Sequence, residues 1–217
     1  MKYTALCGAL GCAMLAFCQV LIFAYAPVEK TMGIVQKIFY VHLSVAWWCF
    51  ASFFTACVCG ILYLLKKRKI WDIVEHAAVE WGMCLTTIAL LTGVFWVKSS
   101  WGVWWTWDPR LTTTLILWFI FAAYLCLRHS GVSNTASAVL AIIGFLDVPL
   151  VFLSARMWRS IHPAVFSKSG GLEPEMAITA VACVLCFAFF WGAVLAWRSH
   201  QLFAEWRLEM LARKMDE

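Results

Sequence analysis

Long apolar stretches alternate with short polar ones along the whole chain, and this pattern predicts transmembrane helices. A helix needs about 20 apolar residues to cross the hydrocarbon core of a bilayer. Six stretches reach that length, and the second is long enough to begin as an interfacial turn. We therefore expect an all-α polytopic membrane protein. Its six transmembrane helices are predicted at roughly 4–26, 39–65, 79–97, 112–128, 135–154 and 176–197.

The composition agrees with a membrane protein and narrows its class. The chain has 217 residues, of which 64% are hydrophobic and 13% charged, whereas soluble domains average about 45–50% apolar and about 25% charged residues. Short alternating segments, which would indicate a β-barrel, are absent from the sequence. The net charge of +5 is spread over the loops, which does not indicate a nucleic-acid partner. Lys2 precedes an apolar run without a small-residue cleavage site, so we interpret that run as the first helix.

Lysine and arginine in the loops predict the orientation of the chain, because cytoplasmic loops are enriched in them. The four basic residues at 66–69 lie directly between two helices and decide the assignment. Both termini are then cytoplasmic. The loops 27–38, 98–111 and 155–175 face the outer side, which is the periplasm in a Gram-negative bacterium.

Two parts of the chain are expected to differ in their relation to the membrane. Residues 1–197 form the transmembrane domain, and residues 198–217 form a cytoplasmic amphipathic tail. In the tail, one helical face has basic residues around it and is formed by Leu202, Trp206, Met210 and Leu211. This pattern favours a short helix that lies along the inner surface of the bilayer.

One stretch of the sequence, WGVWWTWDPRLT at 101–112, is unusually rich in tryptophan. Tryptophan is common at membrane interfaces, where its amphipathic ring favours the headgroup level. Here Gly102 allows close backbone approach, and Asp108 precedes Pro109 as a possible N-cap of the fourth helix. The high density of tryptophans alone does not decide between two interpretations, an anchoring belt and a platform for a planar apolar ligand. The four tryptophans are Trp101, Trp104, Trp105 and Trp107.

The predicted topology separates the five histidines into two groups. His42 and His162 fall on the outer side with the tryptophan stretch, whereas His76, His129 and His200 fall at the inner side as solvated residues. A single histidine at a helix end is more often interfacial than a ligand. Two histidines on either side of one aromatic platform favour a ligand-binding site.

An iron porphyrin matches this combination of residues. Haem is planar and apolar on both faces, and imidazole is a common axial ligand of its iron. Aromatic faces can hold the macrocycle, while cations at the same level can pair with its propionates. Anchoring to lipid headgroups explains any one of these cations equally well. The candidate cations are Lys98, Arg110, Arg156 and Arg159.

The cysteines and one buried acidic residue are further candidates for reactive groups. All ten cysteines fall inside predicted helices, including Cys183 and Cys186 of a CxxC motif, and thiols in such apolar surroundings are usually inert. Asp147 is the one acidic residue well inside a predicted span, two residues before Pro149. A carboxylate there either lines the bundle interior or bonds to backbone freed by the proline.

These residues resemble the haem-handling family with a tryptophan-rich WWD signature, and within it the six-span cytochrome c maturation C, or haem exporter C, proteins. The resemblance covers about residues 30–200. It rests on FYVHLSVAWW around His42, on WGVWWTWDPRLT with the following TLILWFIFAAYLCLR, and on GFLDVPLVFLSARMWRSIHP up to His162. The chain departs from the family at Ser44, where a proline is common. The longer relatives that synthesise cytochrome c carry more spans and a large extra domain, so the six predicted spans resemble the shorter proteins.

The resemblance implies a function and partners. Such proteins bind haem b non-covalently at the outer face of the bacterial inner membrane, with the WWD stretch around it and His42 and His162 as axial ligands. The haem passes to a periplasmic haem chaperone. An ABC-type ATPase subunit, its membrane partner and a small single-span protein complete the implied complex.

The sequence is also compatible with two other functions. One is a bis-histidine membrane cytochrome that transfers electrons, and the other is a structural permease subunit that binds no haem. The sequence carries no P-loop, no HExxH and no serine nucleophile motif, so it indicates neither nucleotide hydrolysis nor proteolysis.

Overall fold

In the computed structural model, the described residues are 2–158, 160, 162 and 172–216. The predicted all-α fold with six transmembrane helices is confirmed, because six helical segments of this part are long and apolar enough to cross a membrane. One of the six is made of two shorter helices. The α-helices of the described part are α1 (Lys2–Val20), α2 (Ile38–Lys66), α3 (Lys69–Trp101), α4 (Pro109–His129), α5 (Asn134–Phe145), α6 (Asp147–Met157) and α7 (Pro174–Met215).

The connection between α1 and α2 is tied down by a buried lysine. The first span ends in a π-helical turn, Leu21–Tyr25, and a 3-10 turn, Ile34–Lys37, leads into α2 as predicted. Lys37 is buried, and its Nζ donates to the carbonyl of Ile22 and, at 3.3 Å, to that of Ala26. Lys37 therefore satisfies carbonyls that the end of the first span leaves unpaired.

The fifth span is not the single helix predicted for 135–154. It is broken at Leu146, where α5 has ended at Phe145 and α6 begins at Asp147. Pro149 explains the break, because proline has no N–H to donate and its ring clashes with the carbonyl four residues earlier, which is that of Phe145. Asp147 therefore occupies the first turn of α6, where the helix dipole favours a negative charge.

The third helix begins at Lys69, well before the predicted residue 79. The charged residues before position 79 were expected to lie in a loop. The structure instead places them on α3, where ion pairs compensate the buried charge. Asp72 is fully buried between Lys69, at 2.6 Å, and Arg128 of α4, at 2.8 Å. Its charge is compensated within the bundle, and the helix can continue.

Further polar contacts extend this cluster towards α7. The fully buried Glu75 accepts a hydrogen bond of 2.9 Å from the hydroxyl of Tyr124. His76 lies 3.5 Å from Glu80 and is half-buried, so the prediction that it is a solvated residue is wrong. Glu80 also accepts from Arg198 of α7, with Nε at 2.6 Å and Nη2 at 2.9 Å. The sequence held a signal for this network, since these acidic residues recur at helical spacing.

The last helix differs from the prediction of a short separate helix in the tail. Helix α7 runs without interruption from Pro174 to Met215. Residues 198–216 contain neither proline nor glycine, so nothing in the backbone stops the helix. The ion pair of Arg198 with Glu80 then fixes the first turn of this extension against α3.

The centre of the bundle is closely packed and holds α2, α3 and α4 together. The rings of Phe53 on α2 and Phe121 on α4 stack with centroids 3.8 Å apart and an interplanar angle of 8°. Gly82 of α3 lies against Phe53, and a Cβ added there would come within 2.7 Å of the ring. Phe50, one turn from Phe53, lines a cavity on the side of the bundle that carries the tryptophan stretch.

Candidate functional site

The cavity lies at one end of the bundle, here called the tryptophan end, where α3 finishes and α2 and α4 begin. It has a volume of about 540 Å³ and lies among α2, α3, α4 and α6, which is within the usual range of about 300–1,000 Å³ for small-molecule sites. Most of its wall is apolar. Its basic and imidazole groups are His42, Arg110, Arg156 and His162.

His42 is held by the pairing of α2 with α3. Its Nδ1 lies 2.9 Å from the Oγ1 of Thr92, and that hydroxyl donates to the carbonyl of Ile88 at 2.8 Å. Because a hydroxyl has one proton, Thr92 uses it on the carbonyl and accepts the Nδ1 proton of His42. This pattern assigns the neutral tautomer in which Nε2 carries a lone pair, and Trp96 packs edge-on against the ring at 6.2 Å.

Ser44 lies in a regular part of α2. The helix runs without interruption through His42 from Ile38, and the Ser44 hydroxyl donates to the carbonyl of Tyr40 at 2.8 Å. A proline at this position would lose the backbone N–H that bonds four residues back. With a serine here, His42 occupies a regular position on α2.

His162 follows α6, lies outside the described helices and faces the same cavity. Its Nδ1 lies 3.1 Å from Nη1 of Arg110, and its backbone N–H donates to the hydroxyl of Ser160 at 3.0 Å. A guanidinium can only donate, so Nδ1 of His162 accepts this bond. The neutral ring therefore carries its proton on Nε2, which is the opposite tautomer to that of His42.

Asp108 joins the start of α4 to the segment that carries His162. Its Oδ1 accepts from the backbone N–H of Arg110 at 2.9 Å, which confirms the predicted N-cap. Its Oδ2 accepts from the hydroxyl of Ser160 at 2.6 Å. Sequence reasoning missed Ser160, since no local pattern signals a contact between residues so far apart in the chain.

The tryptophans of the WWD stretch occupy two different environments. Trp101 and Trp105 line the cavity. Trp104 and Trp107 do not line it, and they are 57% and 76% exposed. Trp96 was not among the predicted site residues, although it is buried in the cavity wall and lies five residues before Trp101 on the same helix.

Gly102 and Lys98 shape the loop rather than the cavity wall. Gly102 ends α3 with a left-handed φ of 75°, and its N–H donates to the carbonyl of Lys98 at 3.0 Å. Glycine adopts this conformation without strain. The Nζ of Lys98 donates to the Gly102 carbonyl at 2.8 Å and lies 5.4 Å from the centre of the Trp104 ring.

Two guanidinium groups, those of Arg110 and Arg156, line the cavity. Arg159, which was predicted beside them, lies outside the described residues. Together the two arginines make part of the wall positive, so the cavity is suited to a planar apolar ligand with an acidic edge.

The remaining candidates lie away from the cavity. His129 and His200 are exposed at the opposite end of the bundle, as predicted. All ten cysteines are free thiols, Cys183 and Cys186 among them. Asp147 is buried at the start of α6, and its Oδ2 has no hydrogen-bond partner in the described part of the chain.

The fold is that of a membrane protein with six spans. At one end of its bundle, two imidazoles and two guanidinium groups line an apolar pocket. Comparison with known families gives the particular family. Residues 1–214 match the family model described as CcmC, heme exporter protein C. The chain therefore belongs to the heme exporter protein C family.

Individual relatives agree with this assignment. A ccmC-like mitochondrial protein of cytochrome c biosynthesis from Marchantia polymorpha is 30% identical over 179 residues, which cover 82% of this chain and 78% of that protein. The heme exporter protein C of Escherichia coli K12 is 29% identical over 158 residues, covering 71% of this chain and 64% of that protein. An Arabidopsis thaliana ccmC-like mitochondrial protein is 31% identical over 166 residues, which cover 76% of this chain and 64% of that protein. The chain thus spans less than two thirds of the last two proteins.

Proposed function

We propose that this protein binds haem b non-covalently in the cavity at the tryptophan end and delivers it to a periplasmic haem chaperone for the biogenesis of c-type cytochromes. The observation that carries the proposal is the convergence of His42 and His162 on one apolar cavity with Arg110 and Arg156 in its wall. Membership of the heme exporter protein C family supports a role in haem handling.

The chemistry of the residues present fits haem. The porphyrin supplies four equatorial nitrogens to the iron, so the protein need supply only axial ligands, for which imidazole is a common choice. His42 presents an Nε2 lone pair because Thr92 fixes its other nitrogen. Trp101 and Trp105 provide aromatic wall against the macrocycle.

The acidic edge of haem also finds partners in the cavity. Arg110 and Arg156 carry guanidinium forks that match carboxylates in a bidentate manner. In this proposal they pair with the propionates, and Arg159 joins them as the sequence predicts. The Nε of Arg110 is buried without a hydrogen-bond partner among the described residues, so it has an unused donor for this role.

The position of the site supports delivery rather than permanent retention of haem. The cavity lies at an end of the bundle, and Trp104 and Trp107 are exposed in the loop beside it. With both termini cytoplasmic, this end faces the periplasm, where a chaperone can approach. The chain carries no nucleotide-binding motif. An ABC-type ATPase, its membrane partner and a small single-span protein in the inner membrane would then drive release.

A transfer assay tests the proposal. Haem-loaded protein in detergent is mixed with haem-free chaperone, and the haem that becomes attached to the chaperone is measured after gel separation. The His42→Ala/His162→Ala variant should transfer little haem, while His129→Ala, at the opposite end of the bundle, should transfer as the wild type does. If the double variant transfers as much haem as the wild type, the proposal is wrong. Stable haem in the wild type that no chaperone accepts would favour the electron-transfer cytochrome instead.

A further inference from the structure

The two cavity histidines are held in opposite hydrogen-bonding states. Nδ1 of His42 donates its proton to the hydroxyl of Thr92, whereas Nδ1 of His162 accepts a proton from Nη1 of Arg110 at 3.1 Å. Both distances are those of ordinary hydrogen bonds. Without ligand, one imidazole is prepared to bind a metal through Nε2 and the other is not.

The Arg110 contact prevents His162 from binding iron through Nε2. An imidazole binds iron through a lone pair, and its other nitrogen then carries the proton. While Arg110 donates to Nδ1, the proton of the neutral His162 ring is on Nε2. Ligation through Nε2 therefore requires that the hydrogen bond from Arg110 be broken first.

Arg110 has a better partner available once the ligand enters. Hydrogen bonds between guanidinium and carboxylate are charge-assisted and roughly twice as strong as bonds between neutral groups. Arg110 lines the cavity, and its backbone is fixed by the cap from Asp108. Its buried Nε has no partner among the described residues, so the guanidinium gains hydrogen bonds when it turns to a carboxylate, and that turn takes Nη1 away from His162.

We propose that Arg110 is a positioning residue that keeps His162 from ligating iron until a haem propionate takes its guanidinium. This inference rests on the proposed haem-binding function and extends it. The hydrogen bond from Arg110 to His162 breaks and a bond from Arg110 to the carboxylate forms. The His162 proton moves from Nε2 to Nδ1 through water, and the Nε2 lone pair binds the iron. No proton or electron is gained or lost overall, and the second ligand engages only a correctly seated haem.

The test compares haem with its dimethyl ester, which keeps the iron but has no free propionate carboxylates. The comparison therefore shows which effects depend on the propionates. Optical and EPR spectra of each complex distinguish six-coordinate low-spin iron from five-coordinate high-spin iron. In the wild type, haem should give the six-coordinate spectrum and the ester the five-coordinate one, because nothing draws Arg110 away from His162. In Arg110→Met, the ester should shift to six-coordinate, since the restraint on His162 is gone.

Matched variants keep this test interpretable. Arg156→Met removes a guanidinium from the same cavity but leaves the Arg110–His162 contact, so its ester complex should stay five-coordinate. Arg110→Gln serves as a second substitution if Arg110→Met is poorly folded. In the haem-free protein, ¹⁵N NMR of labelled histidine should show the Nε2–H tautomer of His162 in the wild type. That resonance, assigned through its loss in His162→Ala, should shift in Arg110→Met.

Two results would overturn the inference. One is a six-coordinate ester complex in the wild type, and the other is an ester complex of Arg110→Met that stays five-coordinate. Failure of the proposed function gives a different result, in which neither haem nor its ester binds, or in which the spectra are indifferent to His42→Ala and His162→Ala.

Discussion

The imidazole Nδ1 of His42 on α2 lies 2.9 Å from the hydroxyl of Thr92 on α3. The contact crosses the interface between α2 and α3, which pack against each other, so the ring is oriented by regular secondary structure. His162, in contrast, is placed by Arg110 and by a hydrogen bond to Ser160 outside any helix. In the proposed haem site, His42 is therefore the rigid ligand and His162 the conditional one.

Thr92→Val should weaken haem binding although it removes no proposed ligand. The valine keeps the shape of threonine but cannot accept the Nδ1 proton that sets the tautomer of His42. Loss of such an outer hydrogen bond typically costs about 10–100-fold in metal affinity, which a spectroscopic haem titration would measure. Thr92→Ser keeps the hydroxyl and should stay near the wild type. Equal affinities for the valine and serine variants would contradict this role.

Asp108→Ala should loosen the segment that carries His162. The change removes the N-cap of α4, worth about 1 kcal/mol, and also the acceptor of the Ser160 hydroxyl. Both a lower melting temperature in detergent and a smaller six-coordinate haem fraction are expected. Asparagine is a good N-cap, so Asp108→Asn should keep most of the stability. If Ser160→Ala has no effect on haem ligation, the link between Asp108 and this segment does not matter for the site.

The two environments of the WWD tryptophans should separate in binding measurements. Trp105→Ala removes aromatic wall from the cavity and should lower haem affinity by roughly tenfold or more. Trp107→Ala changes a side chain that is 76% exposed and does not line the cavity, so haem affinity should stay near the wild type. Should Trp107→Ala lose haem as strongly as Trp105→Ala, the cavity is not where haem sits.

Gly82→Ala should destabilise the bundle without touching the site. The added methyl group would come within 2.7 Å of the Phe53 ring, which is itself stacked on Phe121. Overpacking of this kind costs typically about 1–3 kcal/mol. Gly192→Ala is the control, because a Cβ on that helical glycine meets nothing within 4 Å. The thermal unfolding curve of the first variant should shift down and that of the second should not.

The buried charge of Asp72 gives a second test of stability. Arg128→Met leaves this fully buried carboxylate with Lys69, whose side chain is 32% exposed, as its remaining ion-pair partner. Breaking a buried pair in this way costs about 3 kcal/mol or more. Lys69→Met should cost clearly less, since Arg128 is the better buried partner. A larger loss for Lys69→Met would reverse the assignment of the main counter-charge.

Features that depend on local sequence were predictable. The six spans follow from the length of the apolar stretches, and Asp108 before Pro109 indicated the start of α4. Alternation of the helices across the membrane was enough to group His42 and His162 with the WWD stretch. Pro149 could have predicted the break at Leu146, because its physical effect on the preceding turn is local.

Contacts between distant positions were not predictable from one sequence. The early start of α3 depends on Arg128 of α4, and the bond between Asp108 and Ser160 depends on how two loops meet. For the same reason, the sequence could not separate the cavity tryptophan Trp105 from the exposed Trp107. The Arg110–His162 contact belongs to this group, although both residues were candidates for the site.

If one cavity binds haem through His42 and His162, the spectrum of the purified, haem-loaded protein reports both ligands at once. The wild type should show six-coordinate low-spin iron. His42→Ala and His162→Ala should each shift the iron to a five-coordinate or weakly bound state, and the double variant should lose haem. A double variant that keeps haem with the wild-type spectrum would show that these two histidines do not bind the iron.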